Sequence, residues 1–194
     1  MDLTEIKAAA RKAAFARRKE AFDAGYPAQS AYLSEVLAGY EVLAGYRGVP
    51  LAGYMPIRTE INPIPAMAEA AAHGPVGVPV IQAAGEPLKF SRWEPEGALK
   101  DGPFGAKVPV VDDYFEPEIL IVPLVGFDAR GGRLGYGGGF YDRTLELLRC
   151  KRATLAIGFA FDAQEAEALP LEPTDQPLDL MVTETGIREF NRGI

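Results

Sequence analysis

Seven of the chain's 21 glycines fall at positions 126, 131, 132, 135, 137, 138 and 139. They follow an apolar run, EILIVPLV at 118–125, and precede a segment with helical spacing, FYDRTLELLRC at 140–150. The order strand, glycine loop, helix sets unshielded N–H groups and the positive end of a helix dipole at the carboxyl end of a strand, where phosphate is bound. Glycine serves such a loop twice: it takes up positive φ, and its missing side chain lets the backbone approach an anion. Arg133 adds a cation inside the loop. The loop carries no Gly-Lys-Ser/Thr, and Phe140 stands where GxGxxG would need its third glycine. Glycine content alone also describes a mobile surface loop; the strand–loop–helix context favours a phosphate site.

Around this loop stand ionisable residues with two readings each. Asp142 and Arg143 occupy the first turn of the following helix, where a carboxylate either complements the dipole or holds Mg²⁺ beside bound phosphate. TDQPLD at 174–179 places Asp175 and Asp179 just before a final apolar strand. Loops at strand ends of an open α/β sheet converge on one crevice, so Asp175 either serves its own turn or meets Asp142. Lys7 and Arg11 are four apart on an amino-terminal helix and share a face, which is either solvated or grips one anion. Glu60 follows a strand, where it either caps the next helix or accepts paired N–H donors such as an aminopyrimidine edge. His73 sits at a helix end; Cys150 and Trp93 read as packed. No HxxxH, CxxC or GxSxG pattern occurs, which leaves zinc chemistry and a serine hydrolase elbow without support.

The elements that must position these groups alternate. Residues 4–22 read as a helix capped by Thr4, with Ile6, Ala10, Ala13, Ala14 and Phe15 as its apolar stripe. Residues 30–43 read as a second helix, broken near Gly39 and Gly45; EVLAGY occurs at 35–40 and again at 41–46, an echo too short and too rarely repeated for a solenoid. Strands are predicted at 49–57, 76–81, 118–125, 153–159 and 178–183, an extended segment at 86–93, and helices at 64–73, 140–150 and 163–169. Residues 94–117 are rich in Pro and Gly and read as mostly loop. This alternation predicts one α/β domain over 1–194, three layers α/β/α around a mostly parallel central sheet.

Composition narrows the function. With 194 residues and 48% hydrophobic content the chain can bury a core. Twenty Lys and Arg against 27 Asp and Glu leave a net charge of −7, the wrong sign for a phosphate-backbone partner, so no nucleic acid is expected. A single cysteine excludes an internal disulfide. The longest apolar stretch, 119–127, contains Pro123 and Gly126 and falls far short of the ~20 residues of a membrane helix. The amino terminus is rich in Ala, Lys and Arg, but it lacks an apolar h-region and is interrupted by Asp2, Glu5 and Glu20. It reads as part of a mature cytoplasmic protein.

The run PLVGFDARGGRLGYGGGFYDR at 123–143 closely resembles the signature of the 5-formyltetrahydrofolate cyclo-ligase family. KAAAR at 7–11, MPIRTE at 55–60, VGVPV and LKF within 76–90, and TDQPLDLMV at 174–182 are similar to other family segments, in family order. The resemblance implies an ATP- and Mg²⁺-dependent enzyme that converts 5-formyltetrahydrofolate, a reduced folate, to 5,10-methenyltetrahydrofolate and acts as a monomer. It implies ATP contacts at Lys7, Arg11, Arg133, Leu134, Gly135, Tyr136, Gly137, Gly138, Gly139, Phe140 and Tyr141. It implies folate contacts at Met55, Glu60, Tyr136 and Phe140, Mg²⁺ at Asp142 and Asp175, and catalytic roles for Arg133 and Asp142. Two departures stand out: many members carry Lys where Gly138 stands, and the glutamate, often followed by an apolar residue, an acid and Thr, is followed here by Ile61, Asn62 and Pro63. A non-catalytic folate or nucleotide binder, or a sugar-phosphate isomerase or transferase on a similar sheet, are the competing functions.

Overall fold

A computed structural model describes residues 2–25 and 47–190; the helix expected at 30–43 and the EVLAGY echo lie outside the described residues. Helix α1 spans Leu3–Asp23. Its cap is Asp2 rather than Thr4, because Asp2 and Glu5 form a reciprocal capping box that satisfies two orphan N–H groups. Strand β1 (Leu51–Ala52) leads through helix α2 (Ile64–Ala71) to β2 (Val76–Val80). Then come β3 (Lys89–Arg92), β4 (Leu99–Asp101), β5 (Lys107–Pro109), β6 (Tyr114–Phe115) and β7 (Ile119–Val122). The glycine-rich segment holds β8 (Gly126–Asp128) and β9 (Arg133–Leu134), and it feeds helix α3 (Phe140–Lys151). Strands β10 (Leu155–Phe159), β11 (Glu165–Ala166), β12 (Leu180–Thr183) and β13 (Gly186–Glu189) complete the described chain.

The central sheet has the order β13-β12-β10-β7-β1-β2-β3-β6. Its middle, from β12 to β2, is parallel, and β13, β3 and β6 add antiparallel edges. Strand β7 shows why the run 118–125 is apolar without alternation: both its faces are buried. Ile119 and Ile121 pack with Met67 of α2, Tyr54 and Ile157, while Leu120 and Val122 pack with Leu145 and Leu148 of α3. Helices therefore cover opposite faces, giving the three-layer α/β/α arrangement. The chain winds one way from β1 to β2 and the other way from β7 to β10. The switch point lies between β1 and β7, where such sheets open a crevice at their strands' carboxyl ends.

Several segments differ from their sequence pattern. The buried face of α1 is Lys7, Ala14, Arg18 and Ala21, while Ile6 is exposed. The reason is its seat: α1 lies over β8, where a Cβ on Gly126 would come within 3.2 Å of Ala14 Cβ. Only a small residue fits at that contact, and long cations reach past it. The β1 ladder is two residues long, not nine, because the chain turns away after Ala52. Residues 163–169 form no α-helix. A short 3₁₀ turn, Asp162–Gln164, precedes edge strand β11, because the Gln164 side chain takes up the Phe161 amide and the Leu124 and Val125 carbonyls. Residues 94–117 hold the β4–β5 hairpin as well as loop. Cys150 is exposed at the end of α3, whereas Trp93 is buried. Among the described residues no helix is long and apolar enough to cross a membrane.

The first half of the glycine-rich segment is not an open loop but a hairpin of β8 and β9, joined on its other side by β11. Asp128, fully buried, is its hub. Its carboxylate accepts from the amides of Arg130, Gly132 and Leu169 at 3.0–3.1 Å and from the Arg130 guanidinium. Burial pushes this carboxyl up, but Arg130 and the three amides outweigh it and hold it below the usual range. Arg130 is largely exposed, so the amides dominate the energetics. Asp128→Ala strands buried N–H groups and is expected to cost about 2–4 kcal/mol, or about 5–15 °C in Tm by calorimetry at neutral pH. The lowered folded-state pKa means this contribution is present above the unfolded carboxylate pKa and lost as pH falls through the folded one. The variant's deficit should therefore shrink in acid; a deficit constant with pH would exclude an ionised hub.

Candidate active site

At the switch point lies a cleft of about 780 Å³. The residues expected at the ATP, folate and magnesium positions line it: Lys7 and Arg11 from α1, Met55 and Glu60 after β1, Arg133 through Asp142, and Asp175 before β12; Asp179 does not, and accepts instead from the Ala156 amide at 2.6 Å. The cleft has two chemically distinct halves.

The polar half is built on residues 133–143 and α1. Gly139 sits at the N-cap of α3 with φ 64°, a left-handed conformation suited to glycine, and no side chain caps that terminus. The Gly135 carbonyl accepts from Arg11 Nε at 2.9 Å and the Gly138 carbonyl from Arg143 Nη2 at 2.5 Å. Guanidinium groups thus occupy loop carbonyls that would otherwise repel an anion. Arg133, its side chain 4% exposed, donates to Asp142 Oδ1 at 2.6 Å, while its buried Nε has no partner. Asp142 Oδ1 also accepts from the Gln176 amide at 2.9 Å, which ties the 172–176 turn to α3. Asp175 Oδ2 accepts from Lys7 Nζ at 2.7 Å, and Glu172 lies 2.6 Å from the same ammonium. Burial pulls Lys7 down, but its bonds to Asp175 and Glu172 outweigh that and raise its pKa. Asp142 and Asp175 are thus neighbours on one wall, each paired with a cation.

The other half is largely apolar. Tyr54, Met55, Ile57, Leu88, Val108 and Phe140 face it together with Phe104. Phe104 is 75% exposed, with φ 59° in the turn joining β4 to β5. Glu60 is the buried carboxylate of this half. Its Oε2 accepts from the Ile57 amide at 2.9 Å, and the Tyr136 hydroxyl stands near the carboxyl. Burial pushes the Glu60 carboxyl above its ordinary range; the Ile57 amide, Tyr136, Arg18 and Arg58 pull it back without cancelling the rise. The Tyr141 hydroxyl is buried without a partner, and burial drives its pKa far up, so it stays a neutral donor.

Sequence reading missed Arg18, Phe104 and Glu172. Arg18 had a signal: positions 7, 11, 14 and 18 share one helical face, so the pair Lys7 and Arg11 extends by two turns. Phe104 and Glu172 carry no spacing that marks them.

The cleft's formal charges cancel. Lys7, Arg11, Arg58, Arg133 and Arg143 stand against Glu60, Asp142, Glu146, Glu172 and Asp175. Among the described residues no group of three or more His, Cys, Asp or Glu could hold a metal ion by itself. Two adjacent carboxylates instead fit Mg²⁺, which takes one or two of them and completes its shell with substrate phosphate and water.

Comparison with known proteins converges on one group. The model of the 5-formyltetrahydrofolate cyclo-ligase family matches residues 4–184. A 5-formyltetrahydrofolate cyclo-ligase of Haemophilus influenzae is 42% identical over 101 residues, which cover 49% of this chain and 54% of that protein. The match therefore spans about half of that relative's length. The protein of the same name from Mycolicibacterium smegmatis is 29% identical over 162 residues, covering 77% of this chain and 81% of its own. The solution structure of Aquifex aeolicus 5,10-methenyltetrahydrofolate synthetase superposes with TM-score 0.80 at 26% identity, over 97% of this chain and 95% of that one.

Proposed function

Because the chain belongs to the 5-formyltetrahydrofolate cyclo-ligase family, we propose that it converts 5-formyltetrahydrofolate to 5,10-methenyltetrahydrofolate with ATP as co-substrate, releasing ADP and phosphate. The observation that carries this reading is the divided cleft: a glycine turn with Lys7, Arg11 and Arg133 on one side, and an apolar wall with one buried carboxylate on the other.

The chemistry needs little from the protein beyond placement and charge. A formyl oxygen is a poor leaving group. Transfer of the γ-phosphoryl group to that oxygen gives an iminium phosphate. N10 then bonds to the formyl carbon and gives up its proton, and the carbon–oxygen bond breaks with phosphate as leaving group. Bringing the two reactants to contact distance in one cleft supplies most of the acceleration such a step requires. Lys7, Arg11 and Arg133 clamp the phosphates at the amino terminus of α3, and the unpartnered Nε of Arg133 is available to the transferring group. Glu60 and Met55 orient the pterin. Asp142 and Asp175 would hold Mg²⁺, whose charge offsets that of the polyphosphate in a cleft that is itself neutral; Lys7 and Arg133 are then released to phosphate oxygens.

The direct test mixes the protein with MgATP and 5-formyltetrahydrofolate and follows the near-ultraviolet band of methenyltetrahydrofolate. Its growth, dependent on ATP, supports the reading. Tight folate binding without the band would make the chain a binding protein, and turnover without ATP would point to another reaction.

A variant tests the loop separately. Gly137 has φ 102°, and a Cβ there would lie 3.2 Å from Arg11 Cζ. Gly137→Ala thus strains the backbone and displaces a phosphate clamp. The KM for ATP should rise about tenfold, a loss of roughly 1.4 kcal/mol, with the folate KM little changed. Unchanged nucleotide affinity would show that the loop does not approach phosphate.

A further inference from the structure

Among the described residues Arg18 is one of the largest side chains that are fully buried, at 1% exposure, and the reaction just described gives it no role. It reaches from α1 beneath the apolar half of the cleft. Nη2 donates to the Tyr136 hydroxyl at 2.9 Å, Nε to Thr59 Oγ1 at 3.0 Å, and Nη1 to the Leu124 carbonyl at 3.4 Å. Its guanidinium also lies 5.1 Å from the Phe15 ring and 5.4 Å from that of Tyr136, and the two rings meet edge to face at 5.4 Å. Three parts of the chain therefore meet on one cation: α1, the segment carrying Glu60, and the glycine turn.

The chemistry of this contact is directional. A guanidinium has donors and no acceptor. The Tyr136 oxygen must therefore accept from Arg18, which leaves its own proton free to turn toward Glu60, the chain neighbour of the Thr59 that Arg18 also holds. A buried cation also requires an anion nearby, and Glu60 is the buried carboxylate at hand. We propose that Arg18 is a positioning residue for folate recognition: through the Tyr136 hydroxyl it aims and charges Glu60, so that this carboxylate meets the substrate as an oriented anion. The inference rests on the folate reading of Glu60 given above.

The other groups facing Glu60 are Arg58 and the Ile57 amide from its own segment, Tyr54 after β1, and Tyr141 on α3. Of these, Arg58 is cationic, but it lies on the same short loop as Glu60 and is exposed. Arg18 supplies the buried positive charge from a different element. Losing it should leave Glu60 protonated at a higher pH, so that folate binding fails at a higher pH as acid is added.

The test uses the full chain and measures dissociation constants for 5-formyltetrahydrofolate and for ATP across pH, in wild type, Arg18→Met, Arg18→Lys and Tyr136→Phe. Arg18→Met should raise the folate Kd about tenfold at neutral pH and move the acid-side midpoint of folate binding upward, with ATP affinity within about twofold. Arg18→Lys should restore most of the midpoint. Tyr136→Phe should displace the midpoint in the same direction, and the double variant should be less than additive, because both changes cut one relay. A folate Kd that rises with the midpoint fixed would make Arg18 packing only and overturn the proposal. If Arg18→Met does not fold, Tyr136→Phe decides on the same criterion. If the unsubstituted chain binds no folate at any pH, the folate reading itself fails and this inference falls with it; if it binds folate and the variants match it, only the inference falls.

Discussion

Asp142→Asn is expected to lower kcat about 10²–10³-fold while leaving folate affinity within about threefold. The asymmetry follows from what the carboxylate touches. Its Oδ1 accepts from the Gln176 amide and from Arg133, and it faces the polar half of the cleft, away from Met55 and Glu60. Asparagine keeps an acceptor for the Gln176 amide, so the 172–176 turn and Asp175 stay in place. What it loses is the negative charge. That removes one of the two hard oxygen ligands proposed for Mg²⁺ and leaves the buried Arg133 cation without its partner. Both losses bear on the phosphoryl group in transit rather than on the pterin. Steady-state kinetics over a range of Mg²⁺ concentrations, with folate binding measured separately, checks this. The residual rate should need more Mg²⁺ to saturate than the parent. Equal losses in kcat and folate affinity would place Asp142 outside metal binding.

How far the sequence could be read depended on whether a residue's type agreed with its surroundings. The EILIVPLV run was legible because both faces of β7 are buried and nothing in the run contradicts that. The cleft was legible through its glycines: few folded uses require φ of 102° at Gly137 and 64° at Gly139 side by side with a helix start. Legibility failed where tertiary partners overrode local preference. Ala163–Leu169 has helical spacing, but the Leu169 amide is claimed by Asp128 from 41 positions away, and the segment extends to pair with β8. The hairpin of β4 and β5 is hidden because Pro103, Gly102 and Gly105 read as loop whether or not strands flank them. Helix α1 failed in an instructive way. Hydrophobic periodicity assigns its buried face to Ile6 and Ala13, yet the face that enters the protein carries Lys7 and Arg18. A buried face built from cations violates the pattern rule, and such violations gather at functional sites. Here they mark the cleft's polar wall and the support beneath Glu60.

Glu60→Gln separates recognition from stability. The folate Kd should rise about 10²-fold at neutral pH, roughly 2.7 kcal/mol, the worth of two charge-assisted hydrogen bonds that become neutral or clash with an amide N–H₂. ATP affinity should hold, since Glu60 lies in the other half of the cleft. The pH dependence makes the prediction sharper. Burial raises the Glu60 pKa, so in the parent protein folate affinity should decline as pH falls through that raised value, above the range of ordinary carboxylates. The glutamine variant should bind weakly at every pH, with that decline gone. Stability moves the opposite way. An acid whose folded pKa is raised stabilises the fold while protonated, and this contribution fades as pH climbs from its unfolded to its folded pKa. Glutamine cannot ionise and should escape that loss; against this, Arg18 loses its buried counter-charge. The two terms oppose each other, so the change in unfolding free energy should stay within about 1 kcal/mol while recognition drops a hundredfold. Calorimetric titration with 5-formyltetrahydrofolate across pH, beside thermal melts of both proteins, measures each quantity. A glutamine variant that keeps tight, pH-dependent folate binding would show that another group reads the pterin. It would also turn the buried carboxylate into a structural counter-ion for Arg18.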